Sequence, residues 1–348
     1  MTVVPEIDIA PLLALAVGDP DAPTPSAGSV ADAAPTAAAI DAACRDVGFF
    51  TIVGHGIDPR SLAELDAAAR AFFALPDTSK AAIAMANGGR AWRGWFPLGG
   101  ELTSGIPDRK EGIYFGSELP PGDPRVQTGR PLHGPNLFPA EPAALRPAVL
   151  DHLDRMTALG QAVLAGIALG LGLEPTWFVH HLTADPVVLF RIFHYPPGAD
   201  DPEAWGVAEH TDYGLLTLLA QDGTPGLEVR GREGWVGVDA RADRFVCNIG
   251  DMLDRLTGGR YRSTPHRVRN TSDADRLSFP FFLDPSWDAV VDRLPIVARP
   301  ADDADAADRW DRTSVHGFTG TYGEYLLAKV AKVFPELAEG TDIAVDAP

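Results

Sequence analysis

The amino-acid sequence predicts a mainly β fold of the α+β type, a sandwich or barrel with flanking helices. From residue 187 onward, short segments rich in β-branched and aromatic residues alternate with turn signals such as Asp222-Gly223, a spacing typical of sandwiches and barrels. Before that, roughly Pro142 to Leu171, apolar residues recur every three or four positions, which predicts one long helix packed against a sheet. Hydrophobic residues make up 45% of the 348-residue chain, enough for a sizeable core.

The N-terminal part of the sequence predicts a loop followed by helices. Residues 18–35 are rich in Pro, Ala, Asp and Ser, which indicates a loop or a poorly ordered insertion, and a short helix is expected over 37–46. Asp58 and Pro59 favour a helix start, because Asp can cap and Pro fits the first turn. The remaining predicted elements are strands at Val4–Ile9, Gly48–Val53, Gly112–Phe115, Val187–His194, Gly214–Ala220, Leu227–Arg230, Trp235–Val238, Phe245–Ile249, Arg267–Val268 and Ser278–Leu283, an acidic surface loop over 301–311, and a closing helix from Tyr322 to Phe334.

The charge and the cysteines limit the partners and the compartment. The formal net charge is −19, which argues against nucleic acid as a partner because phosphate binding needs clustered Lys and Arg. The sequence has neither an apolar run of about 18 residues nor a secretory signal pattern at its start. Cys44 and Cys247 lie far apart in apolar contexts, which favours buried thiols of a reducing compartment. We expect a cytoplasmic monomer or simple homo-oligomer with no membrane partner.

Two His-x-Asp pairs are candidate halves of a metal site, and the predicted local structure separates them. His152 and Asp154 fall in the predicted long helix, where residues two apart do not face each other and cannot share an ion. His210 and Asp212 fall in a segment that reads as extended, where residues two apart point to the same face. The second pair can therefore converge on one metal ion.

A third ligand has to come from elsewhere in the chain, and spacing alone does not choose it. Two histidines and one carboxylate leave open positions on an octahedral metal, which suits non-haem Fe(II) binding O2 and a co-substrate side by side. A structural zinc site would be closed by four ligands, usually with cysteines, and no cysteine is near in sequence. The histidine candidates are His55, His133, His180, His181, His194, His266 and His316.

A series of short motifs runs through nearly the whole chain in one order. They are Val4–Asp8, Cys44–Ile57 (CRDVGFFTIVGHGI), Arg93–Trp95, Asp108–Glu111, Asn248–Leu253 (NIGDML), Ser263–Val268 (STPHRV), Arg276–Ser278 and Tyr322–Leu326 (YGEYL). Together they resemble the Fe(II)/2-oxoglutarate-dependent dioxygenases, in the subgroup of isopenicillin N synthase and the plant flavonoid and gibberellin oxygenases. Two positions depart from the pattern: Gly54 and Phe193 stand where the family usually or often has Asn.

The resemblance implies a double-stranded β-helix, a jelly-roll core with iron between its sheets. By motif position it assigns His210, Asp212 and His266 as the iron ligands and catalytic centre. The implied cofactors are Fe(II), 2-oxoglutarate as co-substrate, and O2.

The same resemblance implies how 2-oxoglutarate is held. Arg276 would form a charge-assisted pair with the far carboxylate of 2-oxoglutarate, and Ser278 would add a hydroxyl. Arg276 and Ser278 are two apart on a predicted strand and share a face. Tyr195 matches the family tyrosine that contacts the co-substrate. An alternative for Arg276 is a surface ion pair with Asp273 or Asp275.

The implied reaction oxidises a C–H bond of a small-molecule substrate and releases succinate and CO2. Hydroxylation is expected first and desaturation second, and Asp212 disfavours halogenation because it leaves no open position for halide. Two alternatives stay open: an isopenicillin N synthase-like oxidase that uses Fe(II) and O2 without 2-oxoglutarate, and a catalytically silent barrel that binds a small molecule. Analogy with enzymes of this fold points to secondary metabolism, such as antibiotic biosynthesis.

The resemblance also divides the chain and places the substrate. The regions are an N-terminal non-haem dioxygenase region (1–140), scaffold helices (141–186), the jelly-roll core (187–290) and a C-terminal loop with closing helix (291–348). The substrate is expected between the N-terminal region and the barrel mouth, with Glu101, Arg191, Trp95 and Tyr114 as candidate contacts. Glu101 has two interpretations, a partner for a cationic substrate such as a basic amino acid, or a loop-surface carboxylate.

Overall fold

The structure is a computed structural model that describes residues 4–15, 18, 20–21, 23–103, 106–198, 204–296, 309 and 314–330. Its strands are β1 (Glu6–Asp8), β2 (Phe49–Val53), β3 (Gly94–Phe96), β4 (Leu102–Thr103), β5 (Ile106–Pro107), β6 (Glu111–Gly116), β7 (Pro186–Tyr195), β8 (Val207–His210), β9 (Leu216–Gln221), β10 (Leu227–Gly231), β11 (Gly234–Gly237), β12 (Phe245–Ile249), β13 (His266–Val268) and β14 (Arg276–Ser286). Its α-helices are α1 (Ala10–Leu13), α2 (Ala27–Asp46), α3 (Pro59–Phe73), α4 (Asp77–Lys80), α5 (Pro124–Gln127), α6 (Leu145–Gly170), α7 (Trp177–His181), α8 (Asp251–Leu256) and α9 (Tyr322–Val330).

Two sheets form the centre of the protein. The larger sheet has the strand order β1-β2-β12-β9-β14-β7-β6-β3, and the smaller has the order β11-β10-β13-β8. Apart from the parallel pair β1 and β2, neighbouring strands of both sheets are antiparallel. The predicted sandwich or barrel of short strands is confirmed. Strands β1, β2, β3 and β6 come from the N-terminal region, so that region and the core share one sheet.

Helix α6 is the predicted scaffold helix, and it packs on β7, β9 and β14 of the larger sheet. Gly160 allows the close approach, because a Cβ there would press against Leu283. His152 is buried in this helix beside Phe190, with ring centroids 4.7 Å apart, whereas Asp154 is exposed. Burial lowers the pKa of His152 to about 3. The predicted separation of His152 from Asp154 is therefore confirmed.

Helix α2 corrects the prediction for residues 18–35. The helix begins at Ala27, so residues 27–35 are helical rather than part of a loop. Ser26 caps it, its Oγ accepting a hydrogen bond of 3.1 Å from the Ser29 backbone N–H. The alanines that follow have the highest helix propensity, and Pro35 stands on the exposed side of the helix. Composition alone therefore misplaced the start of this helix.

The C-terminal part agrees with its prediction where it is described. Helix α9 begins at Tyr322 as predicted, while its predicted end at Phe334 and most of the predicted acidic loop over 301–311 lie outside the described residues. The Tyr322 hydroxyl donates a 2.5 Å hydrogen bond to Oδ2 of Asp284, which ties α9 to β14. Helix α9 therefore closes one end of the core.

Gly54, the first departure from the family motif, has a structural reason. Its φ is 66°, in the left-handed region that Gly adopts freely and Asn adopts more readily than other residues. A Cβ at this position would also overlap Oδ1 of Asp8. The turn after β2 therefore keeps its shape with Gly in place of Asn.

Two predictions concern the cysteines and membrane-spanning segments. Cys44 and Cys247 are both buried free thiols, as predicted. Among the helices of the described ranges, none combines the length and the apolar run that a membrane crossing needs.

A buried polar network joins β6 to β7 on the outer side of the larger sheet. Nδ1 of His194 lies 2.8 Å from Oε1 of Glu111, and Nε2 lies 2.9 Å from Oδ1 of Asp275. The other oxygen of Glu111 accepts from Lys80 at 2.7 Å and from the Trp95 indole at 2.9 Å. Burial alone would lower the pKa of His194, but the hydrogen bonds to the two carboxylates raise it above its ordinary value.

Replacing His194 with Gln is expected to make the free energy of unfolding less dependent on pH. A histidine whose pKa is raised by folding contributes stability that is fully present below its unfolded pKa of about 6.5 and is lost as pH rises through the folded value. Urea unfolding should therefore find wild type more stable than His194→Gln by about 1 kcal/mol near pH 6, with the difference shrinking toward pH 8 to 9. A difference that stays constant over this range would contradict the assignment.

Candidate metal centre and co-substrate site

The structure brings His210, Asp212 and His266 together at the space between the two sheets. Nε2 of His210 lies 3.8 Å from Oδ1 of Asp212, and Nε2 of His266 lies 3.7 Å from the same oxygen. The three ligand atoms lie within 4.8 Å of one another, close enough to hold one metal ion. Their backbones explain the convergence, because His210 and His266 are register partners on the neighbouring strands β8 and β13.

Both histidines are prepared to offer Nε2 to a cation. Nδ1 of His210 lies 2.9 Å from the Ala208 carbonyl, and Nδ1 of His266 lies 3.3 Å from the Thr264 carbonyl. A proton held on Nδ1 by a carbonyl leaves the Nε2 lone pair free. Burial, helped by the nearby His266, lowers the pKa of His210 to about 4, so this imidazole is neutral near neutral pH.

Asp212 is held by residues of the larger sheet. Its Oδ2 accepts a 2.5 Å hydrogen bond from Thr217 of β9 and a 2.7 Å hydrogen bond from Asn248 of β12. Burial raises the pKa of Asp212, but His266, His210 and these two donors outweigh burial and leave the pKa below its ordinary value. With Oδ2 occupied, Oδ1 is the carboxylate oxygen that faces both imidazoles.

Strand alternation explains the convergence of His210 and Asp212 only in part. Strand β8 ends at His210, and Asp212 lies two residues beyond it in the turn toward β9. Gly214 lets this turn pack closely, since a Cβ there would overlap the Asp284 carboxylate. The two side chains converge because Thr217 and Asn248 pin the carboxylate, and only in part because of strand alternation.

Arg276 has the surroundings of an anion-binding residue. It is fully buried, with Nε donating to the Thr224 carbonyl at 3.2 Å and Nη2 donating to Gln221 Oε1 at 3.2 Å. Among the described residues, the buried Nη1 has no hydrogen-bond partner and the guanidinium has no ion pair. Asp275 pairs with His194. The surface ion pair between Arg276 and Asp275, which was the alternative from the sequence, is therefore not formed. A buried guanidinium in this state fits an incoming carboxylate.

Ser278 and Tyr195 stand beside this guanidinium. The Ser278 hydroxyl lies 3.3 Å from the Tyr195 hydroxyl, and the Arg276 guanidinium carbon lies 4.8 Å from the centre of the Tyr195 ring. Tyr195 and Arg276 are register partners on β7 and β14. Phe193, the second departure from the family motif, faces the same side of the sheet as Tyr195. The Lys110 ammonium lies 5.0 Å from the centre of the Phe193 ring.

Arg191 and Tyr114 lie together on the inner face of the larger sheet, as register partners on β7 and β6. The Arg191 guanidinium carbon is 4.0 Å from the centre of the Tyr114 ring. Glu101 joins them: Oε1 accepts from the Tyr114 hydroxyl, and Oε2 lies 2.8 Å from the Lys110 ammonium. Glu101 is mostly buried with both oxygens engaged, so it is not the loop-surface carboxylate of the second interpretation.

Trp95 does not join the other candidate substrate contacts. It is the register partner of Ile113, so it points to the opposite face from Tyr114. Its indole donates to Glu111 in the outer network. Trp92 lies at the inner face instead, with the Arg191 guanidinium carbon 5.2 Å from its ring centre.

Sequence reasoning missed several buried polar residues around the site. Thr217 and Asn248 hold Asp212, and Gln221 holds Arg276. Lys110 is buried between the Asp108 and Glu101 carboxylates. Polar residues inside otherwise apolar strands, such as Asn248 within FVCNI, were the available signal.

These residues together define a class of protein. Two imidazoles and one carboxylate oxygen leave the remaining positions of an octahedral ion open, which fits Fe(II). Nη1 of Arg276, which has no hydrogen-bond partner in the described ranges, fits the far carboxylate of an oxo-acid. The fold and the site are those of a non-haem iron enzyme with an oxo-acid co-substrate.

Comparison with known proteins supports this class. Residues 4–141 match the family model described as non-haem dioxygenase in morphine synthesis N-terminal, and residues 186–285 match the 2OG-Fe(II) oxygenase superfamily. A Dictyostelium discoideum protein named as an iron/ascorbate oxidoreductase is 43% identical, covering 86% of this chain and 88% of its own. Homoarginine-6-hydroxylase 2-ODD-C23.1 of Arabidopsis thaliana is 36% identical, covering 95% and 97%. The crystal structure of a 2OG-Fe(II) oxygenase family protein from Caulobacter crescentus has a TM-score of 0.76 and 29% identity, covering 96% and 100%.

The chain belongs to the 2OG-Fe(II) oxygenase superfamily. It is a dioxygenase that uses Fe(II), 2-oxoglutarate and O2 to hydroxylate or desaturate a small-molecule substrate. The jelly-roll core and the cofactors implied by the sequence motifs are thereby confirmed.

Proposed function

We propose that His210, Asp212 and His266 are the iron ligands of this enzyme. The observation that carries the proposal is that both Nε2 atoms lie within 3.8 Å of one carboxylate oxygen whose partner oxygen is already hydrogen bonded. Bound iron would supply the oxidation chemistry with O2 and 2-oxoglutarate. The protein's part is to hold both imidazoles through Nδ1, with Nε2 directed at the metal, and to keep the carboxylate fixed.

Arg276, Ser278 and Tyr195 bind the far carboxylate of 2-oxoglutarate in this proposal. The buried guanidinium has donors to spare, and the two hydroxyls lie on the same inner face of β7 and β14. The network from Gln221 and Thr224 orients the guanidinium before the co-substrate arrives. Such orientation reduces the cost of ordering the side chain on binding.

Arg191 and Tyr114 line the substrate side of the iron, and Glu101 positions both of them. The Glu101 carboxylate accepts from Tyr114 and from Lys110 and faces Arg191, which argues against a free role for it with a cationic substrate. Trp95 is not proposed as a contact, because it lies on the other face of the sheet.

The first test is the formation of succinate by protein purified without oxygen. With Fe(II), ascorbate, O2 and 2-oxoglutarate, we expect succinate in amounts that rise when a substrate is added, and L-homoarginine is a first candidate because of the Arabidopsis relative. A product that gains one oxygen atom would identify hydroxylation, and one that loses two hydrogens would identify desaturation. Substrate oxidation without 2-oxoglutarate would instead favour an isopenicillin N synthase-like oxidase.

We also propose that the enzyme works in the cytoplasm, as a monomer or simple homo-oligomer, without nucleic-acid or membrane partners. The net charge of −19 and the two buried free thiols support this. Light scattering after size exclusion measures the oligomeric state. Binding to vesicles or to duplex DNA at physiological salt would contradict the proposal.

A further inference from the structure

Arg191 is a second guanidinium with unused hydrogen-bond donors beside the iron ligands. Its side chain is 16% exposed, and among the described residues it forms no hydrogen bond. Its one ion pair is a long contact of 3.8 Å from Nη1 to Oε1 of Glu101. A guanidinium carries five N–H donors, so most of those on Arg191 are free for a ligand.

Three aromatic rings surround this guanidinium. The guanidinium carbon lies 4.0 Å from the ring centre of Tyr114 and 5.2 Å from those of Trp92 and Phe282. Rings stacked on the faces of a guanidinium stabilise it but do not neutralise it, and they leave the in-plane N–H groups available. In-plane pairs of N–H groups match the two oxygens of a carboxylate.

The neighbouring charges alternate and end on Arg191. Asp108 and Glu101 flank the Lys110 ammonium, and Glu101 in turn faces Arg191. Each inner member of this series has an opposite charge on both sides. Among the described residues, the long contact with Glu101 is the one ion pair of Arg191, although the charge of Asp212 also acts on it. A ligand with a negative charge would give Arg191 a close ion pair, which favours binding because a mostly buried cation is costly unless it is paired.

Arg191 faces the iron ligands across the inner side of the larger sheet. Strand β14 lies between β7, which carries Arg191, and β9, which carries Thr217 with its hydrogen bond to Asp212. Two strand spacings amount to about 10 Å, roughly the length of a small organic acid. An acid held at Arg191 would place a carbon remote from its carboxylate near the metal ligands.

We propose, resting on the proposed function above, that the substrate is a small carboxylic acid whose carboxylate binds Arg191. The aromatic residues around the guanidinium accommodate its apolar body. The C–H bond to be oxidised lies away from the carboxylate.

The test compares one acid with its amide on the assembled site. The probes are 3-(4-fluorophenyl)propanoate and 3-(4-fluorophenyl)propanamide, observed by fluorine NMR on protein loaded with Zn(II) and saturating 2-oxoglutarate. Zn(II) accepts nitrogen and oxygen ligands without redox chemistry, and 2-oxoglutarate blocks Arg276 as a competing carboxylate site. We expect the acid to bind at least about tenfold more tightly than the amide, which is about 1.4 kcal/mol.

Substitutions at Arg191 assign the preference. Arg191→Gln should bring the ratio of the two dissociation constants to about one, and Arg191→Lys should leave an intermediate ratio because a point charge cannot pair with both oxygens. Arg155→Gln, an exposed position on α6, should keep the wild-type ratio. Thermal unfolding of each variant checks that it is folded. No binding of the acid, equal binding of acid and amide, or a preference that survives in Arg191→Gln would overturn the proposal.

A further arm separates this proposal from the assignment of the co-substrate site. In Arg276→Gln protein without 2-oxoglutarate, the preference for the acid should persist, since Arg191 is intact. A failure of wild-type protein to bind 2-oxoglutarate would count against the role of Arg276. Loss of the preference for the acid in Arg276→Gln would mean that the acid had bound at Arg276, and would overturn the role of Arg191.

Discussion

The His210→Ala variant is expected to lose iron and turnover together. One of three protein ligands disappears, and the His266 and Asp212 that remain form an incomplete site. Loss of an outer residue around a metal site typically costs about 10- to 100-fold in affinity, so loss of a ligand should exceed about a hundredfold. Fe(II) binding measured by anaerobic calorimetry and succinate formation should fall in parallel.

His181→Ala is the matched control for this variant. His181 is an exposed histidine of α7, and it is not a member of the His210, Asp212 and His266 cluster. It should bind one Fe(II) as tightly as wild type and retain its turnover. Iron binding and turnover that survive in His210→Ala would refute the assignment of the ligands.

The Arg276→Gln variant is expected to lose affinity for 2-oxoglutarate while the protein remains folded. Removing one partner of a buried charge pair costs about 2 to 5 kcal/mol, so the KM for 2-oxoglutarate should rise roughly 30-fold or more. The stability of the ligand-free protein should change little, because the guanidinium is buried without an ion pair among the described residues. Steady-state kinetics and thermal unfolding measure the two effects separately.

Two comparisons make this result specific to the guanidinium. Arg276→Lys keeps the charge and should recover part of the affinity, whereas Arg155→Gln on the exposed face of α6 should leave the KM unchanged. An unchanged KM in Arg276→Gln would contradict the proposed co-substrate site. A large loss of stability without ligand would indicate a structural role instead.

Local geometry and motif resemblance were enough to select the three candidate iron ligands from the sequence, but not to explain how Asp212 is held. Helix geometry excluded the pair of His152 and Asp154, and strand alternation favoured His210 and Asp212. The structure separates the first pair and brings the second together, although Asp212 lies beyond the end of the strand. The position of Asp212, however, depends on Thr217 and Asn248 of the larger sheet, and Asn248 is 36 residues away along the chain. No local pattern describes such a contact, because it arises from packing one sheet against the other.

The substrate side was harder to predict because it depends on register. Neighbouring residues of a strand point to opposite faces, so the pairing of Trp95 with Ile113 places Trp95 away from Tyr114. Sequence reasoning named Trp95 as a contact, whereas the structure places Trp92 beside Tyr114 and Arg191. Glu101 likewise has a partner 90 residues away in Arg191, and no local sequence pattern predicts such a contact.

The central claim is that one iron lies between His210, Asp212 and His266, with 2-oxoglutarate extending from it to Arg276. Crystals grown without oxygen in the presence of Fe(II) and 2-oxoglutarate, measured at the iron absorption edge, test it most directly. The predicted result is a single anomalous peak per chain bounded by His210 Nε2, His266 Nε2 and Asp212 Oδ1, with a carboxylate paired to Arg276. An iron peak elsewhere, or 2-oxoglutarate bound away from Arg276, would contradict the claim.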